Sequence, residues 1–321
     1  WRETSADDSG DSNKKNKTAA DEFAEMCVKQ AHRLARNGFC GRAANALVRT
    51  PPVHIDPELK KQQLAALHPI GRAPEGVVLP QQKVFTLQSF SAADIVKYVN
   101  ANQSGSAPGP DGWTFEMLKD VLANAAIASA FHEMVVDICN GDVAPRTAKL
   151  LASSLLVGIP KGSTPEAGTR PIALGSVIFK VAATQAVKCA STQLRDRFAG
   201  SQFGCAAKGG AEYIVHTTRR FLREAIRPSG SPASPQRCVA TIDFSNAFNT
   251  PSRQAMWEAT KSIPELIGIF SVSYSRHSDL HIVGTDATLE SACGARQGTV
   301  DGPVTFALTL QSVLNAANTG E

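Results

Sequence analysis

The sequence predicts an α+β fold, because helical and strand-like segments follow one another without the regular β-α-β alternation of a doubly wound sheet. A second observation is that predicted strands occur as neighbours joined by a turn, which favours an antiparallel sheet with packed helices. The 321 residues are 43% hydrophobic, which is sufficient for one large core or two modest ones.

The first 84 residues are predicted to precede the main body. Residues 1–18 have only Ala6 as an apolar side chain after Trp1 and are rich in Ser, Asp, Asn and Lys, which is typical of a disordered tail. Residues 19–84 are predicted as a helical N-terminal extension. Two helices with a break reach about Val48, Pro51 and Pro52 end the second, and a short helix over 57–67 leads into a Pro- and Gly-bearing link at 68–80.

The segment 85–236 holds the next predicted elements. Ser91 is a suitable N-cap for a helix of sequence AADIVKYVNAN, and the loop SGSAPGPDG ends that helix. Further helices are predicted near 114 and over 126–140, 177–197 and 212–225, with Gly141 and Pro145 ending the second of these. The apolar segments LLASSLLVGIPK and RPIAL predict two strands, and the loop GSTPEAGT between them predicts a hairpin with Lys161 and Arg170 at one rim. The linker PSGSPASPQ is predicted as a surface loop.

The segment 237–321 is predicted to begin with a buried apolar strand, CVATID, at 238–243. A turn and helices starting near 252 and 264 follow. A hairpin pairs DLHIV with TLESA, GARQG forms a turn at 294–298, and a final helix begins near Pro303.

Charge is distributed unevenly along the chain. The formal net charge is only +4, but residues 188–237 contain nine Lys and Arg against three Asp and Glu. Either a solvated helix face or a surface that follows nucleic-acid phosphates explains this run, and spacing alone leaves both open.

Composition excludes several other classes of protein. The seven cysteines are dispersed and never paired as CxxC, so they predict neither a disulfide framework nor a zinc site, and a reducing compartment fits. His277 and His281 lack the cysteine pair that a zinc site would need. No apolar run has the length of a membrane span, which predicts a soluble, intracellular protein without a membrane partner.

Asp243 is the first candidate for chemistry, because it ends the predicted strand CVATID and precedes a turn. A carboxylate in that position would be costly to desolvate unless a divalent cation or a helix N-terminus compensates its charge. Metal binding and N-capping of the next turn are equally compatible with this feature alone.

Five short motifs occur in a fixed order between residues 107 and 303. They are APGPDG (107–112), IPKGSTPEAGTRPIAL (159–174), QFGCAAKGG (202–210), IDFSNAFN (242–249) and GARQGTVDGP (294–303). Taken singly, each motif is a turn or a strand end. In this order the motifs resemble the conserved blocks of non-LTR retrotransposon reverse transcriptases, and the resemblance covers about residues 85–318. The resemblance implies a right-hand polymerase fold, with fingers and the start of the palm over 85–236 and an incomplete palm over 237–321.

The resemblance also implies roles for individual residues. Asp243 matches the first catalytic, metal-binding aspartate. The carbonyl of Phe244 matches the adjoining metal ligand. Lys161 and Arg170 match cations that bind the nucleotide triphosphate, Phe248 matches the aromatic beneath the incoming sugar, and Gln297 and Gly298 match the segment that packs on the nucleotide. The block Gln202, Phe203 and Gly204 lies near the template in this family. We assign Lys208, Arg219 and Arg223 to the same template and primer surface.

The family activity is RNA-directed DNA synthesis, in which deoxynucleoside triphosphates are added to a DNA primer on an RNA template with two Mg²⁺ ions, Mn²⁺ being an alternative. The second acidic motif, aromatic-x-Asp-Asp, is expected after GARQG, and neither it nor a thumb occurs before Glu321. Asn249 and residues 299–303 also depart from the family pattern. The isolated chain is therefore expected to be inactive. A nucleic-acid-binding module without catalysis and a decayed element product are the alternatives, and an intracellular, nuclear location is expected.

Overall fold

A computed structural model of the chain describes residues 18–36, 38–49, 55–103, 105–226 and 238–319. All but the last residue of the predicted tail lies outside this range, as do Pro51, Pro52 and the linker PSGSPASPQ. The chain divides into two compact units. The first comprises residues up to 54 together with 162–167, and the second comprises 55–161 and 168 onwards.

The described part of the first unit contains two helices, α1 (Ala19–Arg36) and α2 (Cys40–Leu47). Gly38 between them has φ +80°, a conformation that glycine adopts at little cost, and the helices pack through Ala31, Ala43 and Ala46. The two predicted helices with a break are therefore confirmed. Residues Pro165–Ala167 of this unit form a short 3-10 helix.

The second unit begins with five helices, and most of them have a local N-terminal signal. They are α3 (Pro57–Ala66), α4 (Ala92–Ala101), α5 (Phe115–Leu122), α6 (Ala125–Asn140) and α7 (Pro145–Ala152). Ser91 forms the predicted N-cap as a capping box with Asp94. Pro145 begins α7 instead of ending a helix, because proline is well suited to the first helical position. The strand predicted to start near 150 consequently starts four residues later.

Four strands occur among the described residues, and they form one mixed sheet in the order β2-β1-β3-β4. They are β1 (Ser154–Pro160), β2 (Thr169–Gly175), β3 (Ser278–Ile282) and β4 (Thr288–Ser291). Both predicted hairpins are present and antiparallel, but β1 and β3 pair in parallel, with Ser154 opposite Leu280. The prediction of an antiparallel sheet is thus wrong at this central pair, because the long helical connection brings the second hairpin back in the direction of β1.

Helices α8 to α13 complete the second unit. They are α8 (Val177–Cys189), α9 (Ser191–Phe198), α10 (Gly210–Ile226), α11 (Arg253–Thr260), α12 (Pro264–Tyr274) and α13 (Asp301–Thr319), with a 3-10 helix at Ala247–Asn249. The single helix predicted over 177–197 is two helices that meet at Ala190. The largest hydrophobic cluster lies among α4, α5, α6, α8 and α12 and includes Val135 and Ala182.

The predicted strand CVATID is absent, and this is the main error of the sequence prediction. Residues 238–243 have no regular secondary structure, and the side chains of Val239 and Ile242 are 53% and 76% exposed. A strand needs a neighbour to satisfy its backbone groups, and no described strand lies beside this segment. Asp243 is therefore not at the end of a buried strand in this structure.

None of the described helices combines the length and the apolar character that crossing a membrane requires.

Candidate functional site

The hairpin of β1 and β2 carries the two predicted triphosphate-binding cations. Ile159 pairs with Arg170, and the backbone N–H of Lys161 donates to the carbonyl of Gly168. Opposite residues of an antiparallel pair share a face, and so do residues two apart on one strand, so Lys161 and Arg170 lie on the same face of the hairpin. Both side chains are exposed. The predicted hairpin is confirmed, whereas the phosphate-binding role of its cations stays a prediction.

A second segment, residues 246–251, forms a tight turn held by asparagines. Asn246 has φ +54°, which asparagine tolerates better than most residues, and its side chain donates to the carbonyl of Leu67. The side-chain amide of Asn249 donates to Oδ1 of Asn246. The amide of Asn249 thus supplies a donor that an aspartate in its place would lack.

Phe248 lies in the same turn and stacks on Phe306 of α13. Their ring centroids are 4.8 Å apart with an angle of 17° between the planes. Phe248 is half-buried, so this contact holds its ring in one orientation while part of the ring stays accessible.

The GARQG turn joins these two segments through backbone hydrogen bonds. The N–H of Ala295 donates to the carbonyl of Phe248 over 2.7 Å, and the N–H of Gly294 donates to that of Pro251 over 2.9 Å. On the other side, the N–H of Ala173 in β2 donates to the carbonyl of Gln297 over 2.7 Å. The strand with Arg170, the turn with Phe248 and the segment with Gln297 therefore form one continuous wall.

Two glycines make this close contact possible. A Cβ on Gly294 would lie 2.3 Å from the carbonyl oxygen of Phe248, and one on Gly298 would lie 2.7 Å from that of Ala173. Both residues also have positive φ, +64° and +102°. The turn therefore requires glycine at both positions.

Two buried arginines lie at the GARQG turn, and neither belongs to a residue set predicted for the site. Arg253 is 1% exposed, donates from Nη1 to the carbonyl of Arg276 and from Nη2 to Oγ of Ser291, and has Nε 3.5 Å from the carbonyl of Gly294. Arg296 donates to the carbonyl of Ser273. Sequence patterns predict that a charged residue is exposed, so the burial of Arg253 and Arg296 cannot be predicted from such a pattern.

Tyr274 lies between these two arginines. The guanidinium carbons of Arg253 and Arg296 are 5.3 and 5.2 Å from its ring centroid. Burial, assisted by the charge of Asp301, raises the pKa of Tyr274 to about 12. Burial and the neighbouring Arg296 lower the pKa of Arg253 to about 10, so it stays charged at neutral pH. Asp301, buried at the start of α13, is the acid whose charge acts on Tyr274, whereas the charge of Glu290 acts to raise the pKa of Arg253.

Asp243 and Phe244, the predicted catalytic and metal-binding residues, are both exposed on the loop before this wall. Among the residues that the structure describes, no group of three or more His, Cys, Asp or Glu side chains could hold a metal ion. A pair of divalent ions needs more carboxylate ligands than Asp243 supplies. The described residues therefore do not by themselves fit a two-metal centre, and the roles of Asp243 and Phe244 stay predictions.

The motif QFG is held between two helices. The amide of Gln202 donates to the carbonyl of Ala307 and to Oε1 of Gln311, both on α13, over 2.8 Å each. Phe203 stacks on Tyr213 of α10, and Gly204 is exposed. Gln202 thus has an internal structural role here.

The exposed cations Lys208, Arg219 and Arg223 lie beyond this motif, in the loop before α10 and on α10 itself. Arg227 and Arg237, also part of the basic run, lie outside the described residues.

The motif GPDG packs against the end of β2. A Cβ on Gly109 would lie 2.6 Å from the carbonyl carbon of Gly175 and from the nitrogen of Ser176. Lys180 of α8, which no sequence motif indicated, has a pKa lowered by burial, an effect that the charge of Asp111 in this motif opposes. Four of the five motifs are therefore linked directly, in the order GPDG, β2, GARQG and the 246–251 turn.

The chain is similar to the Retrotransposable element SLACS 132 kDa protein of Trypanosoma brucei gambiense. The two sequences are 29% identical over 233 residues, which cover 68% of this chain and 18% of the relative. The chain thus spans less than a fifth of that protein's length. No family model matches the chain. The similarity supports a retrotransposon-derived protein.

Proposed function

We propose that this chain is part of an RNA-directed DNA polymerase, a nucleotidyltransferase of the non-LTR retrotransposon type, and that it binds the incoming deoxynucleoside triphosphate. The observation that supports this is the wall formed by β2, the 246–251 turn and GARQG, joined by backbone hydrogen bonds. Three motifs far apart in sequence form a single surface, and each holds residues predicted to contact the nucleotide.

Each part of the wall suits a different part of the nucleotide. Lys161 and Arg170 offer a point cation and a bidentate guanidinium from one face of the hairpin, which suits the triphosphate. Phe248, fixed by Phe306, offers a flat apolar surface that suits the sugar. Gly298 is exposed and has no side chain, so a substrate can approach the backbone beside Gln297 closely.

The proposed reaction requires divalent metal ions. Mg²⁺ would stabilise the attacking and leaving oxygens, and Asp243 would contribute one carboxylate to hold it. The chain's own described residues supply phosphate binding and nucleotide orientation.

Binding of a fluorescent N-methylanthraniloyl derivative of dATP to the chain tests the triphosphate site. Lys161→Gln and Arg170→Gln remove charge while keeping hydrogen-bonding side chains, and each is expected to weaken binding about tenfold. The matched controls Lys97→Gln and Arg146→Gln change exposed cations on α4 and α7 and are expected to leave the Kd unchanged. Equal Kd values for all four variants would contradict the assignment of the triphosphate site to this hairpin.

A further inference from the structure

The aromatic pair Phe203 and Tyr213 presents an open ring on the surface of α10. Their centroids are 4.5 Å apart with an angle of 24° between the planes, so the rings are stacked. Tyr213 is 54% exposed, whereas Phe203 is half-buried. One face of Tyr213 is therefore covered by Phe203, and much of the remaining ring is accessible to solvent.

The inner ring of this pair is held in place on both sides. The carbonyl oxygen of Phe203 would lie 1.8 Å from a Cβ on Gly210, so its backbone lies directly against the first turn of α10. The preceding residue, Gln202, is bonded to α13 through Ala307 and Gln311. A fixed ring beneath Tyr213 keeps the exposed ring oriented, which lowers the entropy cost of stacking a further ring on it.

The surroundings of Tyr213 are cationic. Helical spacing places His216 and Arg220 on the same face of α10 as Tyr213, three and seven residues later. Lys208, Arg219, Arg220 and Arg223 are exposed, against the two carboxylates Glu212 and Glu224, of which Glu224 pairs with Arg220 over 2.9 Å. An exposed aromatic ring beside a cationic surface combines the two features that bind single-stranded nucleic acid, base stacking and phosphate attraction.

We propose that Tyr213 is a stacking site for an unpaired base of a single-stranded nucleic acid, whose phosphates contact Lys208 and Arg220. An unpaired strand fits better than a duplex, because bases inside a duplex are stacked on each other and do not expose their faces. The inference rests on the proposed function only in identifying that strand as the template.

A different face of α10 allows the main alternative, a protein partner, to be tested. Ile214 and Leu222 are 47% and 44% exposed and lie eight residues apart on one apolar face. Consecutive helical residues are about 100° apart around the axis, so this face points away from Tyr213. Changes at Ile214 therefore serve as a matched control for changes at Tyr213.

The test measures binding of single-stranded RNA and DNA 12-mers that contain 2-aminopurine, whose fluorescence is quenched by stacking. Tyr213→Leu is expected to weaken binding of the oligonucleotide about tenfold and to remove the quenching, with the slope of log affinity against log salt unchanged. Tyr213→Phe is expected to retain both, and Ile214→Thr to leave the Kd unchanged. Arg220→Gln is expected to lower the salt slope by somewhat under one unit.

Two results would overturn the proposal: wild-type quenching in Tyr213→Leu, or equal losses in Tyr213→Leu and Tyr213→Phe. A loss only in Ile214→Thr would instead assign the surface of α10 to apolar contacts. Comparison of the RNA and DNA arms shows which strand the site prefers. The fluorescent dATP derivative is titrated on the same variants, so failure of the triphosphate site is distinguished from failure of the stacking site.

Discussion

At the scale of single residues, the wall depends on Gly294. Its φ is +64°, and a Cβ would lie 2.3 Å from the carbonyl oxygen of Phe248 and 2.4 Å from the Cα of Asn249. Those atoms are backbone, so they cannot move aside without breaking the hydrogen bond from Ala295 to Phe248. The absence of a side chain at Gly294 therefore determines how closely GARQG approaches the 246–251 turn.

Gly294→Ala is expected to lower the free energy of unfolding by about 3 kcal/mol, from backbone strain and overpacking together. The matched control is Gly284→Ala, because Gly284 also has positive φ, +85°, but a Cβ there meets no atom within 4 Å. The control is expected to cost about 1 kcal/mol, from strain alone. Urea denaturation of both variants measures the difference. Equal losses of free energy of unfolding would mean that the contact between Gly294 and the 246–251 turn does not contribute to the cost.

At the scale of elements, the end of α3 links stability to pH. His68 follows this helix, and its Nδ1 lies 2.7 Å from the carbonyl oxygen of Leu64, so the neutral ring donates a hydrogen bond. Burial lowers the pKa of His68 below its ordinary value of 6.5. The unfolded chain therefore binds a proton at a higher pH than the folded chain does.

The contribution of the neutral His68 ring to the free energy of unfolding is thus fully present above pH 6.5. It is lost as the pH falls through the lower pKa of the folded state. We expect wild type to lose more stability between pH 7.5 and pH 5 than His68→Gln does. His216→Gln, at an exposed position on α10, is the control and should lose as much stability between the two pH values as wild type does. The midpoint of urea unfolding at the two pH values is the measurement, and parallel losses in wild type and His68→Gln would exclude the linkage.

Local signals in the sequence predicted elements, but not how the elements meet. The capping box at Ser91 and the hairpin of β1 and β2 were predicted correctly, because short-range chemistry determines both. The parallel pairing of β1 with β3 depends on a connection of more than a hundred residues. Residues 238–243 have strand-like composition, yet a strand also needs a partner, and composition cannot supply one.

The candidate site was predicted to a similar extent. The hairpin that bears Lys161 and Arg170 follows from two apolar runs and a turn, so both cations could be placed together in advance. The buried Arg253 and Arg296 could not be predicted, because their burial results from contacts with Tyr274 and Ser291 that form only in the folded chain. Gln202, predicted at the template, uses its amide inside the fold.

At the scale of the whole molecule, the second unit combines one small mixed sheet with helices and links four of the five sequence motifs. The similarity to a retrotransposable-element protein covers 68% of the chain. Both observations bear on the central claim, that the chain is part of an RNA-directed DNA polymerase. In that claim Lys161, Arg170 and Phe248 bind the nucleotide, and the loop before the 246–251 turn supplies Asp243.

Template-dependent incorporation of labelled dTTP by the natural protein that contains this chain, on an RNA template of polyadenylate with an oligodeoxythymidine primer and Mg²⁺, tests that claim most directly. We predict incorporation by wild type, its loss in Asp243→Asn, and its retention in Asp286→Asn, a change of an exposed aspartate in the turn between β3 and β4. No incorporation by the folded wild-type protein, or equal incorporation by wild type and Asp243→Asn, would contradict the claim.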